Sequence, residues 1–119
     1  MENTIHSYRE LIVWQKSIEL VLEIYLLTEA FPREEIYGLT SQLRRAAVSI
    51  PSNIAEGRSR GTRKEFKQFL VNAFGSGAEL ETQITIAKLL PKTKNLNYKK
   101  MDKLLDEVMK MLNSIIKKL

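Results

Sequence analysis

The feature that most restricts how this chain can fold is a run of apolar residues, spaced in alternating threes and fours, that returns in four separate segments. In the first, Leu11, Trp14, Ile18, Val21 and Tyr25 fall on one helical face. A second stripe, Val13, Leu20, Ile24, Leu27 and Phe31, lies about 100° further round the same helix. A helix apolar over so wide an arc is covered on more than one side. One stripe is enough for the core of a single bundle, so the second predicts a subunit interface. Pro32 ends this helix, because a residue that precedes proline is pushed out of the helical region.

Glu34 and Glu35 suit the N-terminus of a second helix, where negative charge meets the positive end of the dipole. Its stripe is Ile36, Leu39, Leu43, Ala47, Ile50, Ile54 and Gly57, with Pro51 inside it. Proline removes the hydrogen bond to the Ala47 carbonyl, so the pattern predicts a kink, with Ser49, Ser52 or Asn53 answering the freed carbonyl. Two short helices meeting at Pro51 are the competing reading. Gly57 and Gly61 bracket a turn, and Thr62 to Glu65 has the form of a capping box that opens a third helix. That helix carries Phe66, Leu70, Ala73, Gly77, Leu80, Ile84 and Ala87 on one face, and ends at Pro91. Gly75 and Gly77 each weaken it by about 1 kcal/mol relative to alanine, a cost that predicts a close helix crossing. Asn97 is the expected N-cap of a last helix with Met101, Leu105, Val108, Leu112, Ile115 and Leu119.

The expectation is therefore an all-α, antiparallel up-down-up-down four-helix bundle, one domain over residues 1–119, with helices at about 9–31, 35–59, 63–90 and 98–119. No apolar run approaches the ~18 residues of a membrane span. The N-terminus reads as polar, without a signal peptide, and the chain has no cysteine. Together these predict a cytoplasmic protein with no disulfide and no membrane partner.

Chemistry has little to build on. His6 stands alone ahead of the first helix, with no second ligand at metal spacing, so no metal centre is expected. Without cysteine or a histidine base there is no nucleophile pair, and no phosphate-binding glycine loop is present. The expectation is a non-enzymatic protein that needs no cofactor.

Charge is distributed unevenly. Residues 1–43 hold three basic against seven acidic residues, whereas residues 44–69 hold seven against two and residues 91–119 eight against three. Such blocks suit a polyanionic partner, an ordinary solvated basic face being the alternative. Arg58, Arg60, Arg63, Lys64 and Lys67 cluster around the turn between the second and third helices, at the end of the bundle that also receives Lys117 and Lys118. Arg44 and Arg45 lie roughly 18 Å away along the bundle, pointing about 100° apart, so one can pair across an interface while the other faces solvent. Phe66 and Phe69 fall on or beside the core stripe, which leaves no stacking platform at this end. The implied contact is with phosphates, at low sequence specificity.

The run Gln42-Leu-Arg-Arg-Ala-Ala-Val-Ser-Ile-Pro-Ser-Asn-Ile-Ala-Glu-Gly57 resembles the four-helix-bundle family named after proteins encoded in intervening sequences of 23S ribosomal RNA genes. Leu11 to Lys16, Phe31 to Leu39, Lys64 to Leu70 and Gly75 to Glu81 extend the resemblance over nearly the whole chain. The resemblance implies a homopentameric, barrel-like ring. It also implies a fold shared with the accessory variability proteins of diversity-generating retroelements, which partner a reverse transcriptase and bind nucleic acid. Carried onto this chain, the motif residues are Arg44, Arg45, Pro51, Asn53, Glu56 and Gly57, with Pro51 and Asn53 shaping the kink, Gly57 ending the helix and Glu56 pairing with Arg60 or a neighbouring subunit. The expected function is nucleic-acid binding, most simply of RNA, by an oligomer. The competing expectation is a scaffold in which the acidic first third docks a reverse transcriptase.

Overall fold

A computed structural model describes residues 7–119. They form α1 (Ile12–Glu29), α2 (Leu39–Ser59), α3 (Arg63–Leu89) and α4 (Lys99–Lys118), with single 3-10 turns at Tyr8–Glu10 and Arg33–Glu35 and no strand among the described residues. His6 lies outside the described residues. The bundle measures 53 × 23 × 22 Å.

Each helix packs on two others, in the order α1–α2–α3–α4 and back to α1. Cross-helix pairs fix the directions. Gln42 meets Gln83 and Ser49 meets Ser76, so α2 and α3 run antiparallel. Lys16 meets Glu107 and Lys100 meets Glu23, so α1 and α4 do too. Lys88 reaches Asp102 at one end of the α3–α4 pair while Arg63 reaches the Lys118 carbonyl at the other. With Arg44 of α2 holding Thr28 near the end of α1, the whole is an up-down-up-down bundle.

The helices begin and end where local chemistry dictates, several residues from the expected bounds. Leu11 is extended, and the first helix proper starts at Ile12 rather than at residue 9. The segment after Pro32 makes one 3-10 turn and then breaks at Gly38. Glu35 accordingly serves α2 from outside, its Oε1 accepting the Leu39 N–H at 3.0 Å. Thr62 caps α3 by accepting the Glu65 N–H at 3.1 Å, but the Glu65 carboxylate returns to the Thr62 hydroxyl, not to its backbone. The N-cap position of α4 falls to Tyr98 rather than to the expected Asn97, which stands one residue earlier and accepts the Lys99 N–H at 3.0 Å. Tyr98 is buried and donates to the Thr93 carbonyl at 2.7 Å. Burial holds its phenol above the usual tyrosine pKa, against the opposing effect of that hydrogen bond.

α2 passes through Pro51 as one continuous helix, which removes the two-helix reading. Contrary to the direct contact expected of them, the side chains around the proline do not bond the Ala47 carbonyl. Ser52 donates to the Val48 carbonyl at 2.8 Å, and Asn53 to Ser49, whose hydroxyl in turn meets Ser76 of α3.

The core is built from one stripe per helix. On α1 it is Val13, Leu20, Ile24 and Leu27, continued by Phe31. The other α1 stripe is half-buried: Trp14, Ile18 and Val21 line a shallow groove with Val48, Pro51 and Ala55 of α2. That stripe is therefore largely covered within the chain, because two neighbouring helices flank α1. What stays exposed on α1 is Tyr25, at the end of that stripe, together with Ile12, Leu22 and Leu26, which belong to neither stripe.

Two glycines let helices approach. A Cβ on Gly77 would collide with the Met109 thioether of α4. Gly57 sits inside α2 and does not end it: a Cβ there would lie 2.6 Å from the Phe69 Cβ and 3.3 Å from the Phe66 carbonyl oxygen. Gly61 (φ 87°) makes the turn instead. Gly75 has open space around it, so the close crossing expected there does not exist within the chain. Gly57→Ala should lower stability by about 1–3 kcal/mol through overpacking against backbone-anchored atoms, outweighing the gain of about 1 kcal/mol in helix propensity. Chemical denaturation measures this; an unchanged or raised midpoint would refute the packing role.

Candidate nucleic-acid interface

The α2–α3 turn and the C-terminus of α4 do meet, since Arg63 Nη2 donates to the Lys118 carbonyl at 2.9 Å. This brings Arg58, Arg63, Lys64, Lys67, Lys117 and Lys118 to one end, all exposed except the half-buried Arg58. Arg60 belongs to the cluster in position but not in charge. It bonds Glu56 at 2.9 Å, lies 3.7 Å from Glu65 and covers the Phe69 ring. Two carboxylates already neutralise it, so it braces the turn. Lys64 and Lys67, by contrast, have no acidic partner among the described residues.

A second basic tract runs along α4. Lys99, Lys103, Lys110 and Lys117 follow one another at steps of four, seven and seven, which aligns them down the outer face of α4. All four are exposed. The inner face carries Met101, Leu104, Leu105, Val108 and Leu112, so α4 is divided into an apolar half and a polar half in which Asp102 and Asp106 stand among the lysines. The row is about 27 Å long at 1.5 Å per residue. Lys110 pairs with Asp106 at 2.9 Å; Lys99, Lys103 and Lys117 have no acidic partner among the described residues. Lys117 joins this row to the basic end. Sequence reasoning passed over Lys103 and Lys110, although their spacing opposite the apolar stripe was there to be read.

Other charges are spent within the fold. Lys92 holds Glu34 at 2.6 Å, which lowers the pKa of the carboxyl and raises that of the amine, each chiefly through their hydrogen bond. Glu19 and Glu23 of α1 lie near Lys16 and Lys100, so much of the acidic first third is already matched by cations. Arg44 and Arg45 diverge. Arg44 is half-buried, its Nε donating to Thr28 at 2.9 Å with its guanidinium 4.4 Å from the centre of the Tyr25 ring. It ties α2 to α1. Arg45 is exposed and unpaired among the described residues.

The sequence matches the description 23S rRNA-intervening sequence protein over residues 9–114. The chain belongs to that family. A crystal structure of a protein of unknown function from the S23 ribosomal protein family of Bacteroides thetaiotaomicron is similar, with a TM-score of 0.74 and 24% identity. The likeness covers 89% of this chain and 99% of that one, and shows the fold. No curated protein matches.

In this member of the family the motif residues divide by task. Asn53 links successive turns of α2 beside Pro51, Gly57 admits α3, and Glu56 holds Arg60 four residues on. Among the described residues there is no cluster of three or more His, Asp or Glu able to hold a metal, and no helix is long and apolar enough to cross a membrane.

Proposed function

We propose that this protein is a non-enzymatic, homo-oligomeric nucleic-acid-binding protein that holds phosphates along two joined basic tracts. The observation that carries this reading is the outer face of α4, where four lysines are aligned and three of them are unpaired among the described residues. Arg58, Arg63, Lys64, Lys67 and Lys118 continue that row around the end of the bundle. Arg60 and Arg44 are left out of the binding set, because each is engaged inside the fold. Lysines without a stacking partner suit phosphate contacts, which carry little sequence information. RNA is the nucleic acid to which the family's name points.

Self-association is supported by apolar side chains left in water at opposite corners of the bundle. Leu22 and Leu26 of α1 are 61% and 60% exposed, and Val71, Ile86 and Leu89 of α3 are 44%, 45% and 75% exposed. Open space at Gly75 between them offers a further helix room to approach. α1 and α3 do not pack on each other within the chain. Two unlike faces on opposite corners favour a head-to-tail contact, which makes a ring where the rotation closes. Five copies is the number the family resemblance implies. The bend expected at Pro51 would then shape the wall of that ring.

Binding of a labelled rRNA fragment should weaken steeply as salt rises. Lys103→Ala with Lys110→Ala should lower the slope of log affinity against log salt by about 1 for each phosphate no longer neutralised. Binding indifferent to salt would sink the reading. Light scattering should show an oligomer, reduced to monomer by Leu22→Asp with Leu26→Asp, and separately by Ile86→Asp with Leu89→Asp. Mixing the two variants should give a dimer, since each retains one intact face. A monomeric wild-type protein would contradict self-association altogether.

A further inference from the structure

Between the C-terminal half of α1, the Arg33–Glu35 turn and the first half of α2 lies an open groove of about 810 Å3. That volume is within the range of sites that take a ligand of drug or nucleotide size. Arg33, Arg44 and Arg45 line it against a single carboxylate, Glu29. Tyr37 stands at its edge and is 97% exposed, more than any other large apolar or aromatic residue described. The hydroxyl of Thr40, on the same wall, is buried without a hydrogen-bond partner. Nothing in the phosphate-binding role of α4 uses these residues.

Their chemistry is that of single-strand recognition. An aromatic ring open on its face accepts an unpaired base of any identity, and nearby guanidinium groups hold the adjoining phosphates. Arg44 forms a fixed wall, since Thr28 and the Tyr25 ring already hold it. Arg33 and Arg45 are exposed and have no acidic partner among the described residues. A duplex would engage the arginines but leave Tyr37 idle, because its bases are stacked on each other. A protein segment seated here would have to be acidic to match three arginines against one glutamate. The exposed faces of α1 and α3 proposed above for self-association lie outside this lining.

We infer that the groove is a single-strand subsite: it takes one unpaired nucleotide, with the base on Tyr37 and the phosphate between Arg33 and Arg45. This rests on the nucleic-acid reading and adds to it a preference that lysine rows alone cannot supply. The protein would then favour RNA with unpaired segments over fully paired RNA of equal charge.

The test compares a short labelled oligouridylate with an RNA duplex of equal phosphate number, by fluorescence anisotropy on the full-length oligomer. Tyr37→Ala should weaken binding of the single strand by about 5- to 150-fold, the usual worth of one stacked base. Duplex binding should stay unchanged, and Tyr37→Trp should restore the single-strand affinity. Arg45→Ala should weaken the single strand more than the duplex. If Tyr37→Ala leaves both affinities unchanged, or lowers both equally, the subsite is wrong while the lysine tracts stand. If the wild-type protein binds neither RNA, the nucleic-acid reading has failed first. If Tyr37→Ala or Arg45→Ala instead changes the oligomer's mass in light scattering, the groove is covered by a second copy of the chain and the subsite is overturned.

Discussion

Everything in this bundle depends on the close approach of α2 and α3. Small residues let two helices approach closely, and Ala46, Ala47 and Gly57 of α2 and Ala73 and Ala87 of α3 are all buried. The approach is tightest at Gly57, where the Phe69 side chain and the Phe66 carbonyl fill the place of a side chain. Ser49 and Ser76 join midway at 2.8 Å. Beyond Gly57 the chain turns through Gly61, and the turn is braced by Arg60 between Glu56 and Glu65. Packing on one side of the seam thus determines where the basic end is presented.

The remaining helices finish the core with different outer surfaces. α4 turns its apolar half to the core and leaves no large apolar residue exposed, its outer half being polar and rich in lysine. α1 and α3 keep apolar residues outside, at opposite corners. Like charges repel one another across an interface, whereas exposed leucines gain from being covered. The proposed division of labour follows from this contrast, with α4 and the basic end assigned to a polyanion and α1 and α3 to other copies of the chain. Arg44 shows why counting charges is not enough. It has the same charge as Arg45 beside it, yet hydrogen bonds and ring contact use it up.

The fold could be read from the sequence because a buried stripe leaves its period in the chain. The stripes of α3 and α4 coincide with the buried residues almost position for position, Phe66, Ile115 and Leu119 being half-buried at their ends. The start of α2 was misplaced because Glu34 and Glu35 look like a first helical turn, while the break at Gly38 depends on backbone geometry that no period records. Gly57 invites the wrong role for the same reason: before a turn, a packing glycine and a helix-ending glycine look alike. The site was half legible. The cluster from Arg58 to Lys67 stands out as a dense run, but the α4 row is diluted by intervening core residues and appears only when the helix is viewed end on. Tyr37 offered no pattern, since the exposure of a lone aromatic in a turn is set by what fails to cover it.

Whether an added nucleic acid protects α4 and the basic end decides whether they have the role proposed for them. Amide hydrogen exchange, with and without a 23S rRNA fragment, maps that surface segment by segment. New protection is predicted at residues 58–67 and along α4, with the outer segments of α1 and α3 unchanged on adding RNA. Protection confined to α1 and α3, with α4 exchanging as freely as before, would contradict the phosphate-binding role of the lysine face.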